Sequence, residues 1–256
     1  AAVTINFKPY LVLPALQWAI RREWRMLELA AIATIALYCL TLALVGSGTP
    51  AQILSNMVNW VEFQSGQVWN EINYSTSYAP FLNMREAQVP LLEFVSSRLI
   101  ENIEFAVPLA IRMTQALALA ALLAAWLQPH ALAPARIAAI LLGAYLVTQS
   151  PGGYTQTFLL FLVFLEPLRR PGPAVAVICA YVLCLVGDVQ IASVLEITST
   201  SWLGERTVNP EFGLTWGHFV RPALIILVVW ALSLDTIAEA ARAHSRHRPS
   251  LGLAPA

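Results

Sequence analysis

Charged residues are scarce in this sequence, and so is cysteine. Asp, Glu, Lys and Arg make up 12% of its 256 residues, whereas soluble domains have about 25% charged residues. The formal net charge is +0, so the chain has no basic excess that would indicate a nucleic-acid partner. Its three cysteines, Cys39, Cys179 and Cys184, lie in apolar runs without metal-ligand spacing. We expect free thiols that pack as small apolar side chains.

The sequence also lacks the motifs of several common soluble enzyme classes. It has no Walker loop, Rossmann fingerprint, H-E-x-x-H pair or G-x-S-x-G elbow. No apolar run carries the repeated charges of a proton relay or a voltage sensor. We therefore predict neither a cofactor nor a metal site.

Apolar residues fill the composition instead, at 58% of the chain, and they come in long runs. A run of about 20 apolar residues is long enough to cross a bilayer as a helix. The pattern predicts an all-α fold, a polytopic transmembrane helical bundle of about seven spans. The predicted spans are residues 4–20, 27–45, 105–127, 137–148, 155–165, 174–194 and 220–234.

The connections between these spans predict the orientation. In the long polar segment 49–104, apolar residues at helical spacing predict two extracytoplasmic amphipathic helices. Residues 196–219 are predicted to form a second outer loop. Basic residues of the short connections all fall on the opposite, cytoplasmic side: Arg21, Arg22, Arg25, Arg136, Arg169, Arg170, Arg242, Arg246 and Arg248. Glu166, beside Arg169 and Arg170, is expected in an ion pair there.

The first residues are already apolar, without a charged region followed by a cleavage site. We expect residues 1–256 to be a single transmembrane domain, the C-terminal part of a longer protein. The predicted location is the bacterial inner membrane, with multiple passes.

Four ionisable residues, Lys8, Arg112, Asp188 and Arg221, lie at similar depths in the outer halves of four predicted spans. A charge inside a bilayer costs about 2.5–3.5 kcal/mol on insertion scales unless a partner or water compensates it. One interpretation is structural: Arg112 pairs with Asp188, and the other two cations extend to lipid headgroups. The other is functional: the three cations bind a lipid phosphate in a cavity open to the outer face.

Further residues are candidates for lining such a cavity. Gly152 and Gly153 would let backbone approach a ligand closely, and Tyr154 follows them. His218 precedes Arg221, and Glu104 ends the long outer segment.

Two short stretches resemble a known family. Lys8-Pro9-Tyr10, an apolar run and Arg21-Arg22-Glu23-Trp24-Arg25 resemble a stretch midway through certain GT-C class membrane glycosyltransferases. These are polyprenyl-phosphate-sugar-dependent, mannosyl- or arabinosyltransferase-like proteins. Gln149-Ser150-Pro151-Gly152-Gly153-Tyr154 is similar to the Ser-Pro turn that these proteins often have before a later span.

The resemblance implies a helical bundle whose site, at the outer face, transfers a sugar from a polyprenyl-phosphate-linked donor to an acceptor hydroxyl. Membrane lipid and that donor would be the partners. The segment that carries the family's usual catalytic acid has no match here, so the base is unassigned among Glu62, Glu71, Glu101, Glu104 and Asp188. The alternative function is a non-enzymatic membrane subunit or transporter, bound to other membrane subunits, whose charges serve helix packing.

Overall fold

The computed structural model describes residues 2–7, 11–46, 48–49, 51–53, 55–56, 58–59, 96–129, 132–147, 154–185, 190–193, 197–201, 204–208, 213–215 and 217–246. Nine helices and four strands have defined bounds within these ranges. The helices are α1 Ala2–Phe7, α2 Val12–Ala15, α3 Gln17–Ile20, α4 Trp24–Val45, α5 Ser97–Leu127, α6 Pro134–Leu146, α7 Tyr154–Phe164, α8 Pro171–Leu183 and α9 Gly217–Arg246. Between α8 and α9 come β1 Gln190–Ser193, β2 Ile197–Ser201, β3 Gly204–Val208 and β4 Gly213–Thr215.

Three of these helices are long and apolar enough to cross a membrane. They are Trp24–Leu44, Phe105–Leu127 and Val220–Arg246, with mean hydropathies of 2.1, 1.7 and 1.9. The helices Pro134–Leu146 and Pro171–Leu183 are apolar but shorter. The described chain is thus predominantly helical and has the character of a membrane protein.

The first predicted span, residues 4–20, is interrupted. Its described part forms three short helices, α1, α2 and α3, and Pro14 lies within α2. Proline has no N–H to donate and its ring crowds the preceding turn, so a straight helix through this segment is disfavoured. The helix assignment accordingly breaks at Leu16, two residues after Pro14.

The long helix α5 begins earlier than predicted. Ser97 to Glu104, assigned from the sequence to the outer segment, continue directly into the apolar run. Of the predicted amphipathic segment, the described residues 51–53, 55–56 and 58–59 are helical, whereas residues 60–95 lie outside the described ranges.

The segment after α8 differs most from the prediction. Helix α8 ends at Leu183, and residues 190–193 form a strand, so the predicted sixth span to Val194 is wrong. The predicted outer loop contains β2 and β3, which pair antiparallel from Ile197↔Val208 to Ser201↔Gly204, while β1 pairs with β4. The β-branched residues at the open end of this pair, where Ile197 lies opposite Val208 and Thr198 opposite Thr207, favour strands. The described chain is therefore predominantly helical, as predicted, with two short antiparallel strand pairs between α8 and α9.

Helix α9 is the centre of the bundle and contacts α5, α6 and α8. Its buried residues Ile225, Val228, Val229 and Leu232 recur at helical spacing. On α5 the buried side chains Ala118, Ala121 and Ala125 are small, which lets two helix backbones approach closely. Where these two helices meet, Trp230 Nε1 donates a hydrogen bond of 2.8 Å to Thr114 Oγ1.

Two glycines set the distance of neighbouring helices from α9. A Cβ on Gly143 of α6 would lie 2.6 Å from Val229 Cγ2. A Cβ on Gly172 of α8 would lie 2.7 Å from Asp235 Cβ and 2.9 Å from the Ala231 carbonyl oxygen. A side chain at Gly172 would therefore collide with backbone of α9, whereas one at Gly143 would displace a methyl group of Val229.

Candidate functional site

A buried ionic cluster lies at one end of the bundle, which we call the Arg136 end. Arg136 Nε and Nη2 lie 2.7 Å and 2.6 Å from Glu166 Oε2. Its Nη1 lies 2.9 Å from Asp235 Oδ2 and 2.7 Å from Glu239 Oε2. All three nitrogens of the guanidinium therefore bind carboxylates.

Local sequence explains how these side chains meet. Pro134 sits in the first turn of α6, where a missing N–H does no harm, and places Arg136 in that turn. Asp235 and Glu239 are four residues apart on α9, so they share one face of that helix. Glu166 lies between α7 and α8, in the connection that reverses the chain back toward α9.

A second arginine completes the cluster. Arg170 Nη1 lies 2.8 Å from Glu239 Oε2 and 3.8 Å from Asp235 Oδ2. Arg170 directly precedes Pro171 and the closely packed Gly172, so the approach of α8 to α9 brings it there. The cluster then contains three carboxylates and two guanidinium groups.

Glu166 is the most buried carboxylate of this cluster. Its side chain has 0% exposure, and Oε1 has no hydrogen-bond partner among the described residues. Burial raises the pKa of Glu166 above its ordinary value, because desolvation disfavours the charged form. The hydrogen bonds and charge of Arg136 oppose that rise in pKa, whereas the charges of Glu239 and Asp235 add to it.

The turn between α3 and α4 lies at the same end. Arg21 Nη1 donates a hydrogen bond of 2.8 Å to the Leu132 carbonyl, and Arg22 Nη2 donates one of 3.3 Å to the Trp126 carbonyl. The Arg22 guanidinium also lies 5.0 Å from the centre of the Trp126 ring. The expected grouping of Arg21, Arg22, Arg136 and Arg170 at one end is therefore confirmed.

An apolar groove opens between the first helices and the α6–α7 pair. It has a volume of about 310 Å³ and is open on one side. Its wall is formed by Leu11, Pro14, Ala15, Gln17, Trp18, Leu142, Phe158, Phe161, Leu162 and Leu165. Gln17 is the one residue in this wall with a polar, non-aromatic side chain, and its Oε1 is buried without a hydrogen-bond partner in the described chain.

Arg112 does not face the bundle interior. It follows the buried Val107 by five residues, which places it about 140° around α5 from the face that packs on α9. Its side chain is exposed, and it forms no ion pair with the part of the chain that the structure describes. The predicted interior position is wrong because the small residues of α5 lie on the opposite face.

The other predicted site residues lie in several helices or outside the described ranges. Arg221 is half-buried in the second turn of α9, and His218 belongs to the first turn of that helix. Tyr154 begins α7, and Glu104 lies in α5. Lys8, Gly152, Gly153 and Asp188 are outside the described residues. Of the three predicted phosphate ligands, the structure therefore describes only Arg112, on the outer surface of the bundle, and Arg221, near the start of α9.

Most of the Arg136 cluster was not predicted from the sequence. Glu166 does form an ion pair, as expected, but its partner is Arg136 and not the nearby Arg169 or Arg170. Asp235 and Glu239 carried a usable signal, because they are acidic residues one turn apart at the end of an apolar helix. Among the described residues, no three His, Cys, Asp or Glu side chains are grouped to hold a metal ion.

No family model, curated protein or solved structure matches this chain.

Proposed function

We propose that this chain is part of a multi-pass enzyme of the bacterial inner membrane that transfers a sugar from a polyprenyl-phosphate-linked donor. The observation that carries the proposal is the apolar groove, in which the polyprenyl chain of the donor would lie. With a volume of about 310 Å³, the groove is at the lower end of the range of small-molecule sites, roughly 300–1,000 Å³.

The wall of the groove suits a hydrocarbon ligand. Phe158, Phe161 and Leu162 come from one face of α7, and Leu142 of α6 lies across from them. Because the groove opens on one side, a lipid could enter it from the surrounding hydrocarbon without passing through water. Moving a CH₂ group from water into an apolar site contributes about 0.8 kcal/mol. A lipid that enters the groove from the bilayer does not leave water, so its binding depends on close packing contacts with the wall.

The phosphate of the donor would lie at the end of the bundle opposite Arg136, which we assign to the outer face. In this proposal Arg221 and Lys8 bind the phosphate oxygens, and Arg112 reaches the phosphate from the bilayer side of α5. Cations there would stabilise the charge that develops on the departing phosphate. The catalytic base remains unassigned.

Photocrosslinking tests the groove. The purified chain in lipid nanodiscs is illuminated with a polyprenyl phosphate that carries a photoreactive group at the chain end. We expect label on α6 and α7, and a several-fold loss of label when Leu162→Trp fills the groove. The matched control, Leu123→Trp on the exposed face of α5, should label normally. Equal labelling of all exposed helix faces would contradict the proposal.

The second candidate is a non-enzymatic membrane subunit whose charges serve helix packing. The Arg136 cluster favours it, since its ion pairs are buried and closed on one another. A double-mutant cycle of Arg112→Leu with Asp188→Asn separates the two functions. Coupling in thermal stability with unchanged polyprenyl phosphate binding favours the subunit, and loss of binding without coupling favours the enzyme.

A further inference from the structure

The charges of the Arg136 cluster do not balance. Glu166, Asp235 and Glu239 bring three negative charges when ionised, while Arg136 and Arg170 bring two positive charges. A net charge in a buried group of side chains is costly, because little solvent remains to screen it. One proton on a carboxylate would remove the excess.

The geometry indicates which carboxylate takes that proton. Glu239 is 23% exposed, accepts a hydrogen bond from Arg136 and forms an ion pair with Arg170, so water and cations compensate its charge. Asp235 accepts from Arg136 and also lies near Arg170. Glu166 has 0% side-chain exposure, and only its Oε2 accepts hydrogen bonds, while Oε1 is buried without a described partner.

We infer that Glu166 is a proton-binding site, at which Oε1 takes up one proton from water while Oε2 keeps its contacts with Nε and Nη2 of Arg136. The carboxylate becomes a carboxylic acid, no other bond is made or broken, and the cluster becomes neutral. Arg136 then balances Asp235, and Arg170 balances Glu239. The half-exposed Arg170 and Glu239 mark the side from which a proton reaches the cluster.

Among the described residues, the charged groups around Glu166 come from three helices. Arg136 comes from α6, Asp235 and Glu239 come from α9, and Arg170 comes from the start of α8. The two neighbouring carboxylates raise the pKa of Glu166 and Arg136 lowers it, but burial is the largest influence and raises it. Protonation would weaken the electrostatic attraction between Arg136 and Glu166 of the α7–α8 connection, while the hydrogen bond from Arg136 Nε to Oε2 would remain.

Infrared difference spectroscopy tests the site on the full chain in lipid nanodiscs. The signal is the carbonyl stretch of a protonated carboxylic acid, followed during a pH titration. We expect a protonated acid to persist above the pH range in which exposed glutamates ionise, to vanish in Glu166→Gln and to remain in Glu28→Gln. Glu28 is the control because it lies exposed on α4.

A second pair of variants keeps the inference testable if Glu166→Gln does not fold. Asp235→Asn and Glu239→Gln each remove a negative neighbour, so each should move the titration to lower pH. A wild-type chain without a protonated acid above the ordinary glutamate range would overturn the inference. So would a signal that survives in Glu166→Gln, or one that neither neighbouring substitution moves.

Discussion

Helices α4 and α9 have almost the same hydropathy and very different surroundings. The candidate span in α4 has a mean hydropathy of 2.1 and none of it is buried, whereas that in α9 has 1.9 and is 39% buried. Apolar content therefore indicates that a helix belongs in a membrane. It does not distinguish a helix that faces lipid from one that faces protein, because both surroundings are apolar. It does not determine which helix becomes the centre of the bundle.

The difference lies in small and polar residues. Helix α9 meets Gly143, Gly172 and the alanines of α5, and it supplies Asp235 and Glu239 to the ionic cluster. On α4, the described side chains from Arg25 to Leu44 are all at least partly exposed, and Thr41 Oγ1 donates a hydrogen bond to the Leu37 carbonyl of the same helix. Close approach and polar partners thus select the packed helix.

The largest effect is expected from Arg136→Leu. It removes the cation that holds three carboxylates, so buried negative charges lose their partner at a cost of about 3–5 kcal/mol. We expect little folded protein, measured as monodisperse yield and thermal unfolding in detergent. Arg25→Leu, on the exposed surface of α4, is the matched control and should unfold near the wild-type temperature. Similar losses of folded protein in both variants would contradict the proposed difference between α4 and the ionic cluster around α9.

Truncation of one isoleucine compares the same two helices. Ile225→Ala on α9 deletes a side chain of 0% exposure, and the cavity and lost contacts should cost about 2 kcal/mol or more. Ile35→Ala on α4, where the side chain is 63% exposed, should change stability by less than about 0.5 kcal/mol. Reversible unfolding in mixed micelles gives both values. A large cost at Ile35 would mean that this side chain packs against a neighbour and would contradict the comparison.

Adding one methyl group at each glycine tests how strongly the packing of α9 depends on it. Gly172→Ala would press against the Asp235 side chain and the Ala231 carbonyl, so overpacking should cost about 1–3 kcal/mol. Gly143→Ala meets a terminal methyl of Val229, which can rotate away, and should cost less. The two unfolding temperatures, measured side by side, check this order. Equal temperatures would mean that α8 can move away from α9 freely.

The smallest effect is the pH dependence that Glu166 confers. Its pKa is raised in the folded chain, so the folded state binds the proton more tightly than the unfolded state does. Its contribution to stability is complete below the unfolded pKa and is lost as pH rises through the folded pKa. Relative to wild type, Glu166→Gln should therefore gain stability over that interval, as measured by unfolding at a series of pH values. A flat difference between the two chains would contradict the sign.

Sequence patterns predicted the parts of the fold that depend on composition. Residues 27–45 and 105–127 form helices as expected, because long apolar runs need backbone hydrogen bonds satisfied within one segment. Pro14 correctly marked an interruption. The end of α8 at Leu183 was missed, since the apolar residues beyond it fit a helix and a strand equally well.

The candidate site was less predictable than the fold. Depth along a span can be counted from sequence, but which side of the helix a residue occupies depends on the neighbour, and Arg112 faces away from α9. The partners of Arg136 come from residues 30, 99 and 103 positions away. Such pairings require the packing of α6 and α9 to be known first.

The position of Asp235 and Glu239 on α9 has a consequence for the order in which the ionic cluster assembles. Asp235 and Glu239 belong to α9, the last described helix along the chain, and α6 to α8 precede it. During synthesis the earlier helices are made first, and Arg136 then has Glu166 as its cluster partner but not yet the α9 carboxylates. The complete cluster can therefore form only after α9 has been synthesised, and a chain stopped before Asp235 would leave Arg136 with Glu166 as its carboxylate partner in the cluster.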